Sequence, residues 1–243
     1  MEPVVQDIVQ PLGRYAFVDR EGRAMAITRD EIVEGILEGA AAANAKYERW
    51  SNGWWVTDSG VEGLMTASIA EALHERQEED ERILMELSIA EVRRRSRARP
   101  RRGPRPETLG DAKRVDIVLL NRHNRAVCAI EVKRSWNRDA CLKDLKRVHD
   151  LVRTLSFGDG GRLRRGFLAL SIAKSATRRK LPEDRIAEEK RRIEETVRHW
   201  FRRKKTTGLR FDLGEPVPLA VQYQEIYGDW AAAGLCVEVY ARS

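Results

Sequence analysis

Apolar positions along the chain fall into alternating and helical periods, separated by polar, turn-forming stretches. Residues 14–28, RYAFVDREGRAMAIT, predict two short strands around an Asp-Arg-Glu-Gly turn. Ile32, Val33, Ile36 and Leu37 then recur at helical spacing behind Thr28 or Asp30 as caps. Beyond the turn formers and aromatics of SNGWWVTDSG (51–60), a second stripe runs through Leu64, Met65, Ile69, Ala72 and Leu73. Asp58 or Ser59 can cap that helix. Helical spacing continues through Ile83, Leu84, Leu87 and Val92, with a break near the acidic run 78–81. The arginine- and proline-rich stretch 93–106 cannot pack a core and predicts a mobile loop. Val115 and Ile117–Leu120 predict a strand, NRHNR (121–125) a turn, and Ala126–Val132 a second strand, together a hairpin. Leu142, Leu145, Val148 and Val152 mark a helix over 139–155, followed by a GDGG turn. RGFLALSIA (165–173) is continuously apolar, as a strand deep in a sheet would be. A charged helix over 182–204 buries Ile186, Ile193, Val197 and Trp200, and strands are expected near 209–213, 217–223 and 235–241.

From residue 61 the order is helix, hairpin, helix, strand and a peripheral helix. A helix crossing between two strands usually sets them parallel in one sheet. The pattern therefore predicts an α/β architecture, a mixed central sheet flanked by helices. Three segments are expected: an N-terminal appendage (1–50), a core (51–175) and a basic C-terminal extension (176–243).

Charge sharpens the picture. Net charge is +7, yet residues 93–105 alone carry eight arginines and no acid, and residues 178–205 carry a local +6. These two segments exceed the net charge, leaving the remainder at −7. Focused positive charge attracts polyanions, nucleic acid first. No apolar run is long enough to span a membrane. Glu2 and Asp7 interrupt the N-terminal apolar residues, so no secretory signal is expected. Cys128, Cys141 and Cys236 have no pairing or ligand spacing and read as reduced thiols, which points to the cytoplasm. The four histidines lack zinc-ligand spacing.

The stretch AVCAIEVKRSW (126–136) ends a buried-looking strand with Glu131 and Lys133 on one face, roughly 7 Å apart. Asp116 lies early in the partner strand, which brings it near Glu131 at one sheet end. Two close carboxylates raise each other's pKa unless a cation stands between them. A hard divalent ion suits such a pair, and can polarise a phosphate and acidify bound water.

Asp116, followed after fourteen residues by Glu131-Val132-Lys133, resembles the PD-(D/E)xK nuclease superfamily, the restriction endonuclease-like enzymes. The likeness covers about residues 60–173. Arg114-Val115 stands where that family often has a proline before its first acid. The resemblance implies a restriction endonuclease-like core that hydrolyses phosphodiester bonds in DNA with Mg²⁺, or Mn²⁺ in its place. It implies that Asp116 and Glu131 bind the metal with the Val132 carbonyl. Lys133 would position the attacking water. Glu62, on the face of Met65, Ile69 and Leu73, would hold a second ion or orient the first, with Glu71 as the fallback.

Arg93, Arg94, Arg95, Arg97, Arg99, Arg101 and Arg102 form a candidate phosphate-contacting arm, supplying affinity and not sequence choice. Arg134, Arg202, Arg203, Lys204 and Lys205 are further candidates, the last four beside Trp200 and Phe201. Glu188–Arg192 and Glu194–Arg198 are expected helix pairs. Trp54, Trp55 and Trp136 are expected to pack locally. The expected partner is double-stranded DNA, with no membrane. With one site, cutting both strands requires a homodimer or two successive events. The rival readings are an inactive nucleic-acid-binding module of the same fold and a basic protein-binding domain.

Overall fold

The computed structural model describes residues 27–98, 104–156, 161–204, 208–222 and 229–241. The strands expected over 14–28, except at their last two residues, lie outside this set, as do Arg99, Arg101, Arg102, Lys205 and most of the GDGG turn.

Helix α1 spans Arg29–Ser51. It opens on a reciprocal capping box: the Thr28 hydroxyl accepts from the Glu31 amide, and Glu31 accepts from the Thr28 amide at 2.7 Å. Asn52 closes it in the left-handed region. After the short α2 (Val56–Ser59), α3 spans Glu62–His74. The two long helices lie so close that a Cβ on Gly39 would stand 2.4 Å from the Ile69 Cα. Ile32, Ile36, Ala40, Met65, Ile69 and Leu73 form one apolar layer with the inner residues of the sheet.

Residues 82–88 depart from the expected helix. Arg82–Ser88 is an edge strand, β1, and only Ile89–Ser96 is helical, as α4. The spacing of Ile83, Leu84 and Leu87 imitates a helical turn because Glu86 takes a left-handed backbone (φ 54°). That residue breaks the two-residue period, and Leu84 and Leu87, three apart, both pack against the same core layer. The loop expected over 93–106 is likewise corrected at its start: Arg93, Arg94 and Arg95 belong to α4, with Ser88 as its N-cap. Acid–base pairs inside the protein hold these arginines in place: Arg94 and Arg95 on Glu91, Arg93 on Asp111.

Strands β2 (Arg114–Leu120) and β3 (Ala126–Lys133) form the expected hairpin. Its turn is shaped by Asn121, whose side chain accepts from the His123 and Arg125 amides, and by Asn124 in the left-handed region. Helix α5 (Arg138–Leu155) carries the chain to β4 (Arg165–Ser175), which lies parallel to β3. Gly166 allows this approach; a Cβ there would stand 2.5 Å from Val148. Helix α6 (Pro182–Lys204), β5 (Leu209–Leu213), β6 (Val217–Gln222) and β7 (Trp230–Ala241) complete the described chain.

The result is an α/β structure around a seven-stranded mixed sheet of order β1-β2-β3-β4-β7-β5. Long β7 pairs with β4 on one side, while β5 and β6 share its other edge. The C-terminal strands thus continue the same sheet as the hairpin. Helices α1 and α3 cover one face; α4, α5 and α6 cover the other. On α6, Glu194–Arg198 pairs as expected, but Glu188 turns back to Lys180, and Arg192 reaches Glu189 at 3.6 Å. Trp55 is buried, whereas Trp54 is 60 % exposed rather than packed.

Candidate active site

The hairpin register sets the site. Ile117 faces Ile130, so Asp116, one step further, stands across from Glu131. The Asp116 Oδ2 accepts the Val132 amide at 2.7 Å, so a side chain takes a hydrogen bond that the main chain would otherwise supply. Glu131 is almost fully buried, with both carboxylate oxygens 2.8 and 2.9 Å from Nη1 of Arg147. The other arm of Arg147 donates to Asp144 at 2.7 Å. Asp144 in turn lies 3.2 Å from the Lys133 ammonium, which donates to Glu62 at 2.8 Å and to the Val132 carbonyl at 3.2 Å. A chain of alternating charge therefore runs from Glu62 through Lys133, Asp144 and Arg147 to Glu131, with Asp116 beside it.

Four carboxylates meet two cations here, an excess of negative charge in a partly dry place. This crowding shifts the carboxyl groups upward. Burial pushes Asp116 above the ordinary carboxylate range, and Glu62 and Glu86 add to the push against the Val132 amide and Lys133. Glu131 is driven well above its usual value by burial and by Asp116. For Lys133, burial alone would lower the value; the hydrogen bond to Glu62 and the charge of Asp144 outweigh it and hold the ammonium protonated.

Glu62 comes to this site from the first turn of α3. Glu71 does not: it is exposed, paired with Lys46 at 2.7 Å. Arg134 donates to the carbonyls of Asp58 and Gly60, tying the chain ahead of α3 to the end of β3. Three further members were not foreseen. Asp144 and Arg147 sit on α5, and the signal for them was an acid and a base within the turns that carry Cys141, Leu145 and Val148. Glu86 was hidden by the helical reading of β1; its strained backbone lies on the strand next to Asp116.

For a divalent cation the donors fit in kind: two mutually repelling carboxylates, a third on α3 and a main-chain carbonyl, all hard oxygens. Among the described residues, no three His, Cys, Asp or Glu groups converge closely enough to hold a metal as they stand. Arg147 holds the seat on Glu131. The thiols add nothing; all three are buried, and burial pushes Cys141 up to about 11. Among the described residues, no helix is long and apolar enough to cross a membrane.

Of the basic candidates, Arg202, Arg203 and Lys204 are exposed at the end of α6, and Arg97 caps α4. Compared with known proteins, the chain matches no family model, no curated sequence and no solved structure.

Proposed function

We propose that the protein is a Mg²⁺-dependent phosphodiesterase of the PD-(D/E)xK kind that cuts DNA, as an endonuclease in defence by restriction or in DNA repair. The observation that carries this reading is the meeting of Asp116, Glu131, Lys133 and Glu62 at one end of the sheet. These residues come from two neighbouring strands and the helix that precedes them. A helix, an edge strand with the short α4 after it, a hairpin, a crossing helix and a parallel strand surround the site, an order that suits a restriction endonuclease-like core. Free buried thiols agree with a cytoplasmic enzyme.

Asp116, Glu131 and the Val132 carbonyl would hold the ion, with Glu62 at its outer side. The ion, Mg²⁺ or Mn²⁺, would acidify water and neutralise charge on the phosphate. Lys133 remains charged between Glu62 and Asp144, so it serves as a donor and not as a base. It orients the attacking water and stabilises the negative charge that develops on the phosphoryl oxygens. Arg147 donates to both oxygens of Glu131 and is the group that must release them when a cation arrives. The same contact favours a second reading, an inactive nucleic-acid-binding module whose former ligands are satisfied internally.

One assay separates the two: supercoiled plasmid, linear duplex, single strands and RNA, each with Mg²⁺, Mn²⁺ or EDTA. Cleavage of DNA with metal and none with EDTA is expected. Lys133→Ala and Asp116→Ala should each lower the rate by roughly 100-fold or more with the fold retained. Undiminished cutting by either would reject the site, and binding without cleavage under all conditions would favour the inactive module.

A further inference from the structure

Between α5 and the last turns of α6 lies a cavity of about 510 Å³, within the size range of small-ligand sites. Arg138 and Leu142 line it from α5; His199, Trp200, Arg203 and Lys204 line it from α6. The geometry points to a nucleotide subsite, which takes a planar base on Trp200 and the attached phosphate on Arg138, Arg203 and Lys204.

Three observations support this. The indole is pinned edge-on by His149 and Phe201, at 5.4 and 5.1 Å between ring centres, and Phe201 is itself stacked on Phe211. A base stacking there meets a ring already ordered, at little entropic cost. The Lys204 ammonium rests 5.5 Å from the Trp200 ring centre, so a cation now occupies the position over the ring. A nucleotide would displace it onto the phosphate. Finally, Arg138, Arg203 and Lys204 form no ion pair among the described residues, although cations elsewhere on the same helix do, as in Lys190–Glu215 and Arg198–Glu194. The lone acid at the rim, Glu195, leaves the cavity with a positive excess.

Placement gives the subsite a use. Helix α5 begins five residues after Lys133 and carries Asp144 and Arg147 as well as Arg138, so one helix links the candidate active site to the cavity. The inference rests on the nucleic-acid reading above only for where the nucleotide comes from.

The test uses full-length protein in EDTA and a fluorescein-labelled twelve-nucleotide oligothymidine, followed by anisotropy. A nucleoside monophosphate is run as an unlabelled competitor and, in a separate arm, as a directly titrated ligand. Trp200→Leu should weaken strand binding roughly 10-fold through lost stacking. Arg203→Glu and Arg138→Glu, both at exposed positions that cannot compromise the core, should weaken it at least as much. Competition by the monophosphate would identify a free nucleotide as sufficient; strand binding without competition would identify a continuous strand as the ligand. Unchanged binding in all three variants, or binding of neither ligand by the wild type, would overturn the subsite. Wild-type protein that binds the strand but cuts no substrate would retire the nuclease and leave the subsite standing. Protein that cuts duplex but binds neither ligand would retire the subsite alone.

Discussion

Glu131 concentrates the physics of the site in one carboxyl group. It is 1 % exposed, faces Asp116 across the hairpin, and relies on Arg147 for its counter-charge. Its raised titration has a definite sign in stability. Between the ordinary carboxylate range and the raised value, the folded protein holds a proton that the unfolded chain has lost. Stability therefore falls as pH rises through that interval. Asp116 adds a smaller term of the same sign. Glu131→Gln, which keeps an oxygen toward Arg147 but cannot ionise, should flatten the decline in melting temperature as pH rises above the ordinary carboxylate range, at constant ionic strength. An equal slope in the two proteins would show that Glu131 is ionised throughout. Because a cation must expel the same proton, metal affinity on the proposed function rises with pH.

At the scale of elements, the α1–α3 contact sets where Glu62 stands, since α3 carries that residue on its first turn. The contact is as close as backbone allows at Gly39, and Gly63, in the same layer, has open space where a Cβ would go. Opposite signs follow. Gly39→Val should cost about 1–3 kcal/mol by overpacking. Gly63→Ala should gain about 0.5–1 kcal/mol by stiffening the unfolded chain and favouring helix. Urea denaturation of both variants reads the difference, and a neutral Gly39→Val would refute the close approach. Elements with an uninterrupted period were legible in the sequence: the stripes of α1 and α3, the apolar runs of β3 and β4, and the Asn-rich turn. The pairing of Asp116 with Glu131 was legible for the same reason, because a hairpin turn counts residues. What escaped had its period broken. Glu86 resets the pleat of β1, and the arginines conceal the last half of α4, whose buried residues are only Ile89, Val92 and Ser96. Asp144 and Arg147 escaped because their meaning lies in contact with Lys133 and Glu131 on β3, 11 and 16 residues away, which no local pattern displays.

At the scale of the molecule, a second buried carboxylate balances the first. Glu238 on β7 gathers Arg29 of α1 at 2.8 Å and Arg165 of β4, while Arg29 also reaches Asp212 of β5 at 2.6 Å. The cluster of Glu238 and Arg29 thus joins four elements, α1, β4, β5 and β7. Glu238→Ala, which removes the carboxylate from between two guanidinium groups, should lower unfolding free energy by about 3–5 kcal/mol in urea titration. A loss below about 1 kcal/mol would mean that the cluster is solvated and weak. The strand that carries Glu238 also governs the order of assembly. Ribosomes deliver β7 after the six other described strands, yet it is the wall on which β4, β5 and β6 all close. A nascent chain can therefore raise the hairpin and its carboxylates early, but it has an open flank until the twelve residues of β7 emerge. A chain built this way keeps that sheet edge unpaired until translation has passed Ala241.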